Sequence, residues 1–234
     1  SMRVRVWKVI RLYIDVIFFR VLMYVMSCIF GNIAFSMNGF LGSFLPVNWY
    51  VAVYSGLYLI SPYLNRIMRD LPSKQFQTML LVFFFVFSIW PSGIDLLGKV
   101  FDFSSKALTP ISSTSSGDGY TLVNFILIYS LGAYFRLHEN KAPSVKKSVC
   151  GLLWYFGITV INTLYAAYSP GRAAAYCNPL VVLQTAALFV AFQNIRIQNN
   201  VINIIASCSF GTYLMHEFFF PYCQIEKYVT GSLW

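Results

Sequence analysis

His216 and Glu217 stand side by side near the end of an apolar run, and an imidazole beside a carboxylate is a pair able to move a proton. Tyr213 lies three residues earlier, on a similar face of a helix. The small residues Ser207, Cys208, Ser209 and Gly211 precede them and let such a helix pack closely inside a bundle. Two readings follow: a histidine hydrogen-bonded across helices for structure, or a polar wall that handles a substrate. Asp15 and Arg20 are the other ionisable groups set in an apolar run. Five residues apart, they are separated by about 500° of helical rotation, so they diverge by roughly 140° and each needs a partner on another helix. For Arg20 the alternative is that its charged head reaches back to the membrane interface. The second histidine, His138, falls in a connecting loop.

Other patterns fail on chemistry. Gly93, Gly98 and Lys99 have the spacing of a phosphate-binding loop, but Val100 stands where a hydroxyl would hold magnesium. His216-Glu217 has no second histidine downstream, so a helical zinc site is absent and no metal is expected. The five cysteines show no paired spacing. Only Cys177 and Cys223 fall near one face and could join.

The elements that must position these groups are membrane helices. A chain that is 58% hydrophobic and 11% charged, with a mean hydropathy of +0.63, has more apolar surface than one soluble core can hide. The net charge of +9 is spread between apolar runs rather than gathered on a face, which argues against nucleic acid as a partner and for a lipid bilayer. Windows of about 20 apolar residues predict an all-α, polytopic bundle of seven spans, near 10–34, 47–65, 76–92, 119–136, 148–168, 178–194 and 202–220. Alternating the loops puts Arg3, Arg5, Lys8, Arg11, Arg66, Arg69, Lys74, Arg136, Lys141, Lys146, Lys147 and Arg196 on one side, and Lys99, Lys106, Arg172 and Lys227 on the other. The richer side is cytoplasmic by the positive-inside rule, so the N-terminus is inside. Residues 1–234 read as a single domain, with 92–119 as an external loop whose Ser/Thr/Gly-rich end cannot bury enough apolar surface to fold alone.

The wording of three segments goes further. WYVAVYSGLYLISPYLN (Trp49 to Asn65, with a break expected at Ser61-Pro62), YSLGAYFRL (Tyr129 to Leu137) and the stretch from NPLVVLQTAALFVAFQNIRI to SFGTYLMHE (Asn178 to Glu217) resemble, in order, segments of the integral-membrane acyltransferase family 3. Its members are multi-spanning O-acetyltransferases of bacterial surface polysaccharides. The resemblance implies a bacterial plasma (inner) membrane protein that takes acetyl-CoA from the cytoplasm and acylates a hydroxyl of an exported or lipid-linked sugar.

The resemblance also distributes roles. An R-x-x-R pair handles the acyl-CoA donor in the family; Lys8-x-x-Arg11 matches it most nearly and Arg5-x-x-Lys8 next. Each replaces one arginine with lysine, losing a planar fork that grips phosphate twice. The ordinary reading of the same basic cluster is orientation of the first span. His216 and Glu217 are the catalytic candidates, with Trp49, Tyr50 and Tyr213 as substrate contacts. Family members have about ten helices and a catalytic histidine in the first. The first span here has none, and the motifs align as the third to ninth helices, so the expectation is a truncated member. Two rival readings remain open, a small-molecule or glycan transporter and a catalytically inactive acyltransferase; no internal repeat of the transporter kind is visible.

Overall fold

The computed structural model describes residues 6–30, 33–103, 108, 119–138, 145–193 and 199–223, the last five as backbone only. Among these residues there are helices and no strands. In chain order they are α1 (Val6–Ile29), α2 (Met37–Ser43), α3 (Trp49–Asp70), α4 (Ser73–Phe84), a π-helical turn (Phe85–Ile89), α5 (Trp90–Phe101), α6 (Leu122–His138), α7 (Val145–Tyr168), α8 (Pro170–Ala173), α9 (Pro179–Phe192) and α10 (Asn200–Cys223).

Among the described residues, three stretches are long and apolar enough to cross a membrane: Val6–Ile29, the continuous Ser73–Phe101 and Val145–Tyr168. At about 1.5 Å per residue, the 24 residues of α1 reach past the ~30 Å hydrocarbon core. The apolar α6 and α9 have 17 and 14 residues and stop short of that length. The sequence predicted seven spans; α3 and α10 are long helices but fall below the required average apolarity. In α3 the cause is its tyrosines together with Asn65, Arg66, Arg69 and Asp70.

Two further expectations change. Pro62 does not break α3, which runs on to Asp70. Proline removes the donor that would bond the carbonyl four residues back, which here is that of Tyr58. The Ser61 hydroxyl donates to this carbonyl at 2.8 Å, so the helix passes through without an orphaned acceptor. Pro91 likewise fails to end its helix, because the π-turn over Phe85–Ile89 comes just before it and shifts the backbone register. Residues 92–101, expected as the start of an external loop, are therefore α5, and Gly93, Gly98 and Lys99 lie on a helix rather than in a phosphate-binding loop. Asp102 closes α5 in the left-handed region at φ 54°, a conformation Asp tolerates better than most residues.

The chain forms two compact units. In the unit of Ala52–Arg196, α7 packs on α9, α4 on α6, and α6 on both α9 and the π-turn. Gly151 lets α7 and α9 approach until a Cβ on it would lie 2.8 Å from the Ala191 amide nitrogen and 2.9 Å from the Ala187 carbonyl oxygen. Close backbone approach through small residues is how helices associate where lipid supplies no hydrophobic drive. Gln184 donates to the Thr159 hydroxyl across the same seam at 3.0 Å. Two of the family-like segments meet where the Tyr129 hydroxyl donates to Asn65 Oδ1 at 2.9 Å. His138 is the last residue of α6 rather than a loop residue, its ring set against buried Phe76 and Tyr134.

The other unit holds α1, α2, the start of α3 and α10. Its core is Val16, Val51 and Leu214, ringed by aromatic side chains including Phe19, Phe210 and Phe218. Gly211 admits the ring of Phe19, whose tip would lie 3.1 Å from an added Cβ.

Candidate functional site

In the unit of α1 and α10, Asn48 caps the start of α3. Its Oδ1 accepts from the Val51 amide at 3.0 Å and its Nδ2 donates to the Tyr213 hydroxyl at 3.3 Å. Tyr50 meets Tyr213 edge to face, ring centroids 5.8 Å apart, and Trp49 stands against Tyr50 at 5.9 Å. The three aromatic residues read as substrate contacts are thus brought together around a buried asparagine that the sequence did not single out. Leu214 anchors α10 to the core, so the next positions divide: Glu217 and Phe218 are half-buried, while His216, two residues from Leu214, is exposed.

Arg20 has a structural partner. Its Nη1 donates to the Leu45 carbonyl at 2.5 Å, tying α1 to the chain after α2, and its guanidinium lies 5.7 Å from the centre of the Phe218 ring. Asp15 and Arg20 do not pair, as their divergence on the helix requires. Lys8 and Arg11 are both exposed on consecutive turns of α1. Three residues apart, they are neighbours on one face and can reach a common ligand. Arg5 lies outside the described residues.

A second polar site, in the other unit, was not foreseen. Arg172 Nη1 stands 3.2 Å from Asp95 Oδ2, with the aspartate side chain 7% and the arginine 28% exposed. Lys99, one turn after Asp95 on α5, donates to the Tyr168 carbonyl at 3.2 Å and sits 4.6 Å from the centre of its ring. Asp95, Lys99, Phe103, Tyr165, Ser169 and Arg172 line a cavity of about 250 Å³ at the C-terminal ends of α5 and α7.

The segment that presents Arg172, the short α8 and the turn after it, is fixed by the amides of Asn124 on α6, Asn162 on α7 and Asn178 at the cap of α9. Asn178 caps α9 by accepting from the Leu180 amide at 2.9 Å, and its Nδ2 donates to Asn162 Oδ1 and to the carbonyls of Arg172 and Ala173 at 3.1 to 3.2 Å. Asn162 donates to the Ala173 carbonyl, Asn124 to that of Tyr176, and the buried Ser88 of the π-turn to that of Cys177 at 2.7 Å. Gly119, at φ +95°, lies so close that a Cβ would be 2.5 Å from the Cys177 nitrogen. A buried irregular loop must have its backbone polar groups bonded, and side chains do so here. The available sequence signal was the set of single polar residues, Ser88, Asn124, Asn162 and Asn178, in otherwise apolar runs. No disulfide is present among the described residues, and the side chain of Cys223 lies outside them. Among the described residues no cluster suited to a metal ion occurs.

Membrane-length helices, with polar groups buried between them and at their ends, define a helical integral-membrane protein. The acyltransferase family 3 model, described as an acyltransferase domain, matches residues 6–226, nearly the whole chain, and the chain belongs to that family. No curated protein matches it. No solved structure does either. Family membership makes the protein a membrane acyltransferase in general terms.

Proposed function

We propose that the protein transfers an acetyl group from acetyl-CoA, taken from the cytoplasm, to a hydroxyl of an exported or lipid-linked polysaccharide unit in a bacterial inner membrane. The observation that carries the reading is the family match across residues 6–226. Its agreement with the separate placement of a basic pair on α1 and a polar aromatic cluster on α3 and α10 supports a division of labour. Lys8 and Arg11, with Arg5 before them, bind the donor's phosphates through charge-assisted hydrogen bonds. Trp49, Tyr50 and Tyr213 hold substrate. His216 and Glu217 take the proton from the attacking hydroxyl, a role for which imidazole has a suitable affinity at neutral pH. As the hydroxyl oxygen bonds to the acetyl carbonyl carbon, the thioester bond breaks and the thiol of CoA leaves with a proton.

The test is equilibrium binding of acetyl-CoA to the chain in nanodiscs, with Lys8→Gln/Arg11→Gln compared to the parent. A charge-assisted hydrogen bond contributes about 1.5–3 kcal/mol when well formed, and both groups are exposed. Exposure reduces each to about half of the low end, so the double variant, losing two, should weaken donor binding about tenfold while α1 still inserts. A correctly inserted double variant that binds donor as the parent does removes this donor site. In acyl transfer, His216→Ala should lose the reaction while keeping donor affinity; unchanged transfer would exclude His216 as the base.

A further inference from the structure

We infer that the apolar trough between α4, α6 and α9 holds one acyl chain of an anionic phospholipid from the cytoplasmic leaflet, with the lipid phosphate beside Lys74. The site uses none of the residues assigned to donor or acceptor above, and it stands without the acyl-transfer reading.

Three helices build the trough. Gln77, Leu81 and Phe84 recur along one face of α4, and Leu127, Leu131 and Tyr134 along one face of α6. Buried Leu127 and Val182 lie deepest, while Leu81 and Leu183, 68% and 42% exposed, form the rims. The volume of about 390 Å³ falls within the ~300–1,000 Å³ of ligand sites. Leu127 and Tyr134 are separated by about 10 Å of helix, so the trough is elongated. Beyond Phe84 the π-turn packs on α6 and α9 and closes that end.

The open end selects the headgroup. Gln77 Nε2 donates to the Tyr134 hydroxyl at 2.5 Å. The hydroxyl then keeps its own hydrogen to give, and the amide keeps a second N–H and its carbonyl. Polar groups facing hydrocarbon are costly unless bonded, and the ester and phosphate oxygens of a phospholipid are acceptors for both hydrogens. Lys74 is exposed three residues before Gln77, on the same face of α4. None of the three helices carries an acidic residue to offset it. Basic pockets between membrane helices gather anionic headgroups in this way on the cytoplasmic side. Depth agrees, because Gln77 lies about one turn inside the start of α4 and Tyr134 about one turn inside the end of α6. The basic-residue asymmetry assigns both of those helix ends to the cytoplasmic face. A helix from a second copy would fill the apolar part but bring nothing that uses the lysine and the two donors.

The test is native mass spectrometry of the full chain released from neutral detergent and titrated with dioleoyl phosphatidylglycerol or dioleoyl phosphatidylcholine. The parent should show one saturable first site that fills at about fivefold lower concentration of phosphatidylglycerol, the share of one lysine close to an anionic group. Lys74→Gln should bring the two lipids level, whereas Lys146→Gln, exposed at the start of α7, should keep the preference. Ala186→Leu puts a larger side chain into the trough and should lose the first site for both lipids at unchanged melting temperature; if it fails to fold, the Lys74 comparison decides. Absence of a saturable site, equal affinity for the two lipids in the parent, or an unchanged preference in Lys74→Gln overturns the inference. An equal loss of preference in Lys146→Gln also overturns it, by showing general charge attraction. So does an Ala186→Leu protein that keeps its lipid but loses a dimer seen in the parent, which would put a second copy in the trough.

Discussion

Replacing Gly151 and Gly157 by alanine, one at a time, should move stability in opposite directions although both lie on α7. At Gly151 the new methyl carbon meets backbone: the Ala191 nitrogen at 2.8 Å, the Ala187 oxygen at 2.9 Å and the Ala191 Cα at 3.1 Å. None of these atoms can rotate away, so α9 must retreat by about 0.5–1 Å, which forfeits a quarter to a half of the dispersion energy at each affected contact. Overpacking of this kind costs about 1–3 kcal/mol, and the better helix propensity of alanine returns about 0.5–1. The net effect is a loss of up to about 2.5 kcal/mol, with the Gln184–Thr159 hydrogen bond across the same seam strained in addition. At Gly157 an added Cβ meets nothing within 4 Å, so only the gain of about 0.5–1 kcal/mol remains. Unfolding in rising mole fractions of SDS, followed by far-UV circular dichroism, should place the two midpoints on opposite sides of the parent. If Gly151→Ala proves as stable as Gly157→Ala, the close approach of α7 and α9 is wrong.

Asn178→Ala removes an N-cap, worth about 1 kcal/mol, and leaves buried carbonyls without their donor at about 1–3 kcal/mol; limited proteolysis should then cut the segment 169–178 several times faster than in the parent, and an unchanged rate would show that the asparagine does not hold the loop. In a variant without native cysteines, Lys146→Cys should react with an impermeant maleimide only after the membrane is opened, and Lys99→Cys should react in intact cells; the reverse pattern would invert the topology.

The composition alone settles that this is a helical membrane protein, because apolar surface on this scale has no other solvent, and the order of three segments is enough to point to its family. The same logic locates the strongest span, α1, since length and hydropathy are local properties. Where helices end was less legible. Pro62 and Pro91 look like stops, but a Ser61 hydroxyl and a π-turn repair the backbone at each, and such repairs depend on geometry rather than residue type. Tyr213 was singled out from its spacing to His216, yet its partners Asn48 and Tyr50 lie more than 160 residues away in the chain and meet it only through folding. Asp95 and Arg172 carry the same lesson more strongly. In the sequence one is a lone acid after a proline and the other one of 17 basic residues. Their pairing needed the π-turn to continue α5, and three asparagines and a serine to fold the loop after α7 against it. Local periodicity reports which residues share a face of one helix; it cannot report which faces of different helices meet, because that is decided by the packing of the whole unit.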